Sequence, residues 1–355
     1  MTQPTRRRGR PADRREAIYQ ELVHRIVQGH YPPMQQLPTL RDIASEFNAS
    51  SRTVQAVFKD LAESGFTDPQ GARGTFVHED PPHLHRHLLI HDGTEQKNRF
   101  RTALLAEADK LNQAGWSIEI VHLPVDSQRS SLIQELSHRV ERQQYAGIAF
   151  TSDIKELIHT PLYTTPSVPR VVLSPHMQTF SGPYQPDFKS SPLFNQTLHK
   201  LQQLGARRVG AFLHATKHKN ITQLHKGLIA HQFETKNAWL HSIHHSMDWE
   251  AYAVMELLLS QPPSKRPDTL LIYDDHLTEM VTKGLHDFGS KLKPITVISH
   301  CNFPMKPKTH TPVIWFGYNA NEILLRAFQL IEQERRQPSQ QSRQIRLTPY
   351  FEDER

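Results

Sequence analysis

Residues 37–77 open with LPTLRDIA (Leu37–Ala44), continue through SSRTVQAVFKDLAESG (Ser50–Gly65) and close on RGTFV (Arg73–Val77). The middle stretch sets Val54, Val57 or Phe58, and Leu61 on one face at helical spacing, with Ser50 placed to cap its first turn and Gly65 to end it. Its other face carries Arg52, Thr53, Gln55, Ala56 and Lys59. Upstream, Thr39 stands three residues before Asp42, the pattern of an N-cap with an acidic residue in the first turn. The helix it opens is expected to bury Leu40, Ile43, Ala44 and Phe47. Asn48-Ala49 is then a tight link between two helices, the second with a polar outer face, which is the geometry that fits a helix into the major groove. A small helical bundle with a solvated face reads the same way to this point. The following segment, Phe66–Val77, favours the first reading, because Asp68-Pro69-Gln70-Gly71 is a turn between two short extended pieces. A hairpin wing therefore follows the third helix, with Arg73 beside Gly74 at its tip.

Outward toward the amino terminus, Ile18, Leu22 and Ile26, with Tyr19 and Val23 beside them, form the stripe of an amphipathic helix between Arg15 and Gln28. Residues 1–15 hold Arg6, Arg7, Arg8, Arg10, Arg14 and Arg15 against the single acid Asp13. The whole chain of 355 residues carries 42 Lys and Arg against 36 Asp and Glu, so its net charge of +6 is concentrated in this arm, where it suits phosphate backbones. Arg8-Gly9-Arg10-Pro11 has the form of an AT-hook core, which lays two arginines along a narrow A/T minor groove. A disordered basic tail that adds affinity without reading sequence would show the same residues. The reading divides this end into a basic arm at 1–14 and a winged helix-turn-helix domain at 15–78.

These motifs, in this order, resemble the GntR family of winged-helix regulators, over about 60 residues. The resemblance implies that Arg41 contacts a phosphate, that Ser50 and Thr53 anchor the recognition helix, and that Gly74 lets the wing approach the backbone; Thr39, Ser51, Arg52, Gln55, Lys59 and Arg73 are the further DNA-binding candidates. The family's arginine directly after the capping serine is Ser51 here, with Arg52 one place later, and its usual glycine before the Leu-Pro segment is replaced near Met34. Base preference is therefore not legible.

Glu79-Asp80-Pro81-Pro82 is polar and doubly prolyl, so residues 79–87 are expected to be a short stiff linker. Beyond it, strand-like and helix-like runs alternate: Leu88–His91, Asn98–Ala114, Ser117–His122, Ser130–Gln143, Gly147–Thr151 and Arg170–Ser174. A second series runs from Ser190–Leu204 through Val209–Leu213, Asn220–Phe233, Trp239–Ile243, Asp248–Ser260, Thr269–Tyr273 and Leu277–Phe288 to Thr296–Ser299. This βα rhythm predicts two parallel-sheet, Rossmann-like lobes over 88–352.

The stretches LHKLQQLGARRVGAF (Leu198–Phe212), Asp248-Trp249, LLIYDDHLTEMVTKGLHDFG (Leu270–Gly289), ITVISHCN (Ile295–Asn302) and RLTPYF (Arg346–Phe351) resemble the sensor domain of LacI/GalR-type repressors. That domain is itself similar to periplasmic binding proteins. The resemblance implies an effector bound between the two lobes and a dimeric assembly. In such folds ligands sit at the carboxyl ends of parallel strands. By position the candidates are His91 and Asp92, Asp187 at the start of the second lobe, Trp249 as a flat stacking surface, Asp274 and Asp275, and Asn302. Each alone is also a common cap or turn residue. The family's sugar-binding arginine falls at Leu224, three places before Gly227, so the expected effector is unusual or weakly bound.

His83-x-His85-x-His87 would line three imidazoles along one side of an extended strand, and His241, His244 and His245 form a second cluster, but neither is completed by cysteine or carboxylate at metal-ligand spacing. No metal and no cofactor is expected. Cys301 has His300 beside it, yet neighbours on a strand face opposite ways, and there is no phosphate loop or nucleophile elbow, so no catalytic residue is assigned. A single cysteine and the absence of a signal peptide or of a long apolar run predict a cytoplasmic, nucleoid-associated protein with no membrane partner. The leading reading is an effector-controlled regulator, a repressor, acting as a homodimer on a double-stranded operator. Its rivals are a ligand-independent architectural DNA-binding protein and an enzyme fused to a GntR-like domain, for which no Schiff-base lysine context is visible.

Overall fold

A computed structural model describes residues 11–93, 98–152, 154–173, 176–178, 192–214, 219–289, 293–338 and 344–354. At the amino end α1 (Pro11–Val27), α2 (Leu40–Glu46) and α3 (Ser51–Glu63) precede the hairpin β1 (Thr67–Pro69) and β2 (Thr75–Val77). Ile18, Tyr19, Leu22, Val23 and Ile26 of α1 bury against Ile43, Val54, Val57, Phe58 and Leu61, with Phe66 and Val77 closing the core from the wing. Helix α1 starts at Pro11, ahead of the apolar stripe, at a position where a missing N–H costs nothing. Leu40 departs from expectation at 39% exposure: α2 is only 7 residues long, and its single inward turn belongs to Ile43.

The wing turn also lies later than expected. Thr67 pairs with Val77, Asp68 with Phe76 and Pro69 with Thr75, so Asp68-Pro69 is strand and the turn is Gln70–Gly74. A two-stranded ribbon tolerates proline at its end, and Gly74 at φ +102° supplies the backbone conformation that closes the turn. Within the expected linker, Pro82–His85 forms a helical turn, α4, with Pro82 and His83 buried. His83, His85 and His87 therefore do not share one face of a strand. The prolines that end the wing strand start a helix here, because proline is favoured at the first helical position.

The first sheet is parallel with order β4-β3-β5-β6. It is built from β3 (Arg86–Asp92), β4 (Ser117–Leu123), β5 (Gly147–Phe150) and β6 (Arg170–Val172), with α5 (Arg99–Gln113), α6 (Gln128–Glu141) and α7 (Pro161–Thr164) between them in sequence. A short strand, β7 (His176–Gln178), follows. The second series is α8 (Pro192–Gln203), β8 (Val209–His214), α9 (Lys219–Ala230), β9 (Leu240–Ile243), α10 (Trp249–Ser260), β10 (Thr269–Ile272), α11 (Thr278–Gly289), β11 (Thr296–Phe303), β12 (Ile314–Asn319), α12 (Ala320–Arg336), β13 (Gln344–Arg346) and β14 (Tyr350–Phe351). Its sheet runs β14-β12-β11-β10-β8-β9, with β14 antiparallel to β12 and the rest parallel. β13 pairs with β7. The expected rhythm stops at Ser299, whereas the chain goes on to β12 and α12. The proline-rich run Phe303–Pro312 interrupts the periodic pattern there.

Two compact units result. One holds residues 1–94, 111–172 and 328–341; the other holds 95–110, 173–327 and 342–355. No helix among the described residues is long and apolar enough to cross a membrane.

Candidate nucleic-acid interface and ligand site

Helix α3 begins with Ser50 as its N-cap, whose hydroxyl accepts from the Thr53 amide at 3.1 Å. The burial of Val54, Val57, Phe58 and Leu61 turns the opposite side of the helix outward, so Ser51, Arg52, Gln55 and Lys59 are exposed and Thr53 is half-buried. Lys59 keeps a loose i,i+4 pair with Glu63 at 3.5 Å. Thr39 forms a capping box: its hydroxyl accepts from the Asp42 amide at 3.2 Å, and the Asp42 carboxylate accepts from the Thr39 amide at 3.1 Å. Both caps stabilise helix starts. Arg41 is exposed on the first turn of α2, and Arg73 is exposed in the wing turn. The Gln36 amide donates to the Arg73 carbonyl at 2.9 Å, setting the wing on the chain before α2, and Gly74 beside it holds φ +102°, a conformation other side chains rarely adopt.

Sequence reading placed Arg14 in the basic arm. Its guanidinium instead donates to the Phe47 and Asn48 carbonyls at 2.9 and 2.5 Å, tying α1 to the turn that separates α2 from α3. Arg8 and Arg10 lie outside the described residues.

In the second unit, Asp274 and Asp275 follow the end of β10 and are only 9% and 4% exposed. The His276 Nδ1 lies 2.8 Å from Asp274 Oδ1, which accepts from it, and the Arg99 amide approaches its Nε2 at 3.4 Å. His214, at the end of β8, donates to the other Asp274 oxygen at 3.1 Å. Burial works to raise the Asp274 carboxyl, but the hydrogen bonds and charge of His276, with that of His214, outweigh it and hold the group below the usual carboxylate range. Asn302, near the end of β11, donates from Nδ2 to Asp275 Oδ2 at 2.9 Å, and Arg99 Nε lies 3.4 Å from the same oxygen. Parallel pairing of Ile272 with Ser299 and with Phe212 brings these strand ends together.

The cluster thus offers oriented carboxylate acceptors, amide and guanidinium donors and imidazole edges in a largely dry setting, the equipment for grasping hydroxyl groups. One atom each of Asp274, Asp275 and His276 lies within 4.8 Å of the others, a spacing that admits a cation. The Arg99 charge beside Asp275 and the His276 N–H on Asp274 already occupy the oxygens a cation would take.

Trp249 opens α10 and is 60% exposed, with no hydrogen bond to this cluster. In the other unit, His91 Nδ1 lies 3.1 Å from Thr151 Oγ1. Asp92 pairs with Arg129 at 3.1 Å, and Arg129 also holds Glu156 at 2.6 Å. Asp187 lies outside the described residues. Leu224 is fully buried in the second unit's core, so this position supplies packing and not a ligand contact. Arg99, His214 and His276 were not foreseen. His276 adjoins the Asp-Asp pair, but Arg99 sits at the start of a helix far upstream, where spacing in the sequence carries no trace of the contact.

Fold and site define a winged helix-turn-helix domain joined to two parallel α/β lobes of the periplasmic-binding-protein type. Residues 14–77 match the family described as bacterial regulatory proteins, gntR family, so the amino-terminal domain is a GntR-type DNA-binding domain. Over 336 residues the chain is 22% identical to the arabinose metabolism transcriptional repressor of Geobacillus stearothermophilus, covering 89% of this chain and 90% of that protein. In structure the lobes resemble a LacI family transcriptional regulator of Lactobacillus casei crystallised with bound sucrose, at TM-score 0.51 and 18% identity, over 75% of this chain and 98% of that one. The transcription regulator CcpA of Lactococcus lactis is similar at TM-score 0.50 and 14% identity, over 75% and 97%. The lobes have the fold of LacI-family regulators.

Proposed function

We propose that this protein is a sequence-specific transcription repressor whose operator binding responds to a small polyhydroxylated metabolite held at the Asp274–Asp275 cluster. One observation carries the reading: a single chain joins an exposed, arginine-bearing recognition face to a buried group of oriented carboxylate, amide and imidazole groups at parallel strand ends. Asp275 accepts ligand hydroxyls, Asn302 and Arg99 orient it, and Trp249 supplies a stacking face. On the DNA, Arg41, Arg52, Gln55, Lys59 and Arg73 contact phosphates and base edges, and the arm's Arg8 and Arg10 follow the minor groove. The protein acts as a cytoplasmic homodimer, and no catalytic step is assigned to it. The similarity to a repressor of arabinose metabolism, and to a fold seen elsewhere with sucrose, supports a saccharide as the ligand class. Calorimetric titration of the full chain with L-arabinose, D-glucose and sucrose tests this. Saturable heat with at least one sugar, abolished by Asp275→Ala, is expected; no heat from any of them would favour a ligand-independent architectural role.

A further inference from the structure

Arg142 caps the carboxyl end of α6 in the first lobe, and its guanidinium carbon lies 3.5 Å from the centroid of the Tyr19 ring in α1 of the DNA-binding domain. Its Nε is 3.6 Å from Glu16 of α1 and its Nη2 is 4.0 Å from Asp60 of α3, with the side chain only 16% exposed. Tyr19 is itself fully buried and donates to Ser64 Oγ, at the end of α3, at 2.9 Å. One cation on the lobe therefore reaches both the first helix and the recognition helix. A second contact runs parallel to it: the His83 ring of α4 stacks on Phe66, at 5.8 Å and 14°, just after α3.

We propose that Arg142 seats the winged helix-turn-helix on the first lobe, so that the two move as one body and a shift of the lobe is delivered directly to the recognition helix. A desolvated guanidinium over a tyrosine face is among the stronger forms of this contact, and the flat fork cannot be replaced by an ammonium without loss. Among the described residues Arg142 Nε and Nη2 nevertheless make no hydrogen bond in their buried setting, so the seat rests on charge and ring face at distances that a modest displacement can open. Seating leaves the reading surface clear, since Arg52, Gln55 and Lys59 remain exposed. The delivery of an effector signal rests on the function proposed above; the seating does not.

The test uses the full chain labelled with a fluorophore at Ala72→Cys in the exposed wing turn, which is selective because the single native cysteine, Cys301, is buried. Time-resolved anisotropy should show the label tumbling with the whole protein. Arg142→Glu, which turns a like charge toward Glu16 and Asp60, should add a component several-fold faster, and Arg142→Gln should do the same should the acid disturb folding. Restoring opposite charges with Glu16→Arg in the Arg142→Glu background should remove that component, which a folding defect would not allow. A fast component already present in the unsubstituted protein, or none in either Arg142 variant, overturns the proposal. Absence of any sugar heat would sink the effector reading while leaving this result standing.

Discussion

Asn302 Nδ2 donates to Asp275 Oδ2 across 2.9 Å, joining the ends of two neighbouring parallel strands through side chains that are 5% and 4% exposed. The bond fixes the carboxylate plane and so decides which lone pairs face a ligand. Asn302→Ala leaves a buried carboxylate short of a donor and should weaken sugar binding by about 1–3 kcal/mol, read by calorimetry against the unsubstituted protein. Unchanged affinity would remove Asn302 from the site.

The guanidinium groups of Arg52 and Arg73 make neither ion pair nor hydrogen bond among the described residues, so neither side chain supports the fold through a polar contact. Arg52→Ala should cost about 1–3 kcal/mol of affinity for selected operator DNA at fixed salt while changing unfolding free energy by less than about 0.5 kcal/mol. Equal operator affinity in the two proteins would show that α3 reads DNA without this side chain.

Ser50 and Thr39 have a role that precedes any contact with DNA, since each satisfies an orphan amide at a helix start. Ser50→Ala should lower the stability of the amino-terminal domain by about 1 kcal/mol, visible as a lower melting midpoint. A lost operator contact with no change in that midpoint would instead make Ser50 a DNA ligand only.

His83 and His87 are 6% and 8% exposed, and burial pushes each imidazole down to about 4. The unfolded chain takes up protons near pH 6.5 that the folded one refuses, so stability is full above that value and falls as pH drops from about 6.5 toward 4. The loss is on the order of 2–3 kcal/mol per residue. The double variant His83→Phe, His87→Phe should flatten the fall in urea midpoint between pH 7 and pH 5. An undiminished slope would place the titrating groups elsewhere.

The amino-terminal domain was largely legible because its signals are local: Ser50 and Thr39 cap where their spacing indicates, and the buried faces of α1 and α3 follow the helical period. What failed there was set by neighbours. The Asp68-Pro69 pair reads as a turn, yet strand pairing with Thr75 and Phe76 holds it extended. The Asp274–Asp275 pair and Asn302 could be named from their places at strand ends. Arg99 could not, because only tertiary structure brings a helix start to within 3.4 Å of Asp275 from more than a hundred residues away. Arg142 was invisible for the same reason: nothing in the periodicity of α6 marks the residue that caps its carboxyl end as the partner of Tyr19.

The most direct test of the account is an operator titration of the full chain, on DNA selected from a random pool, with and without L-arabinose, D-glucose or sucrose. The account predicts that at least one sugar changes operator affinity by about ten-fold or more, a coupling of roughly 1.4 kcal/mol, and that Asp275→Ala binds the ligand-free operator normally but shows no response. Operator affinity indifferent to every sugar, or a full response in Asp275→Ala, would contradict it.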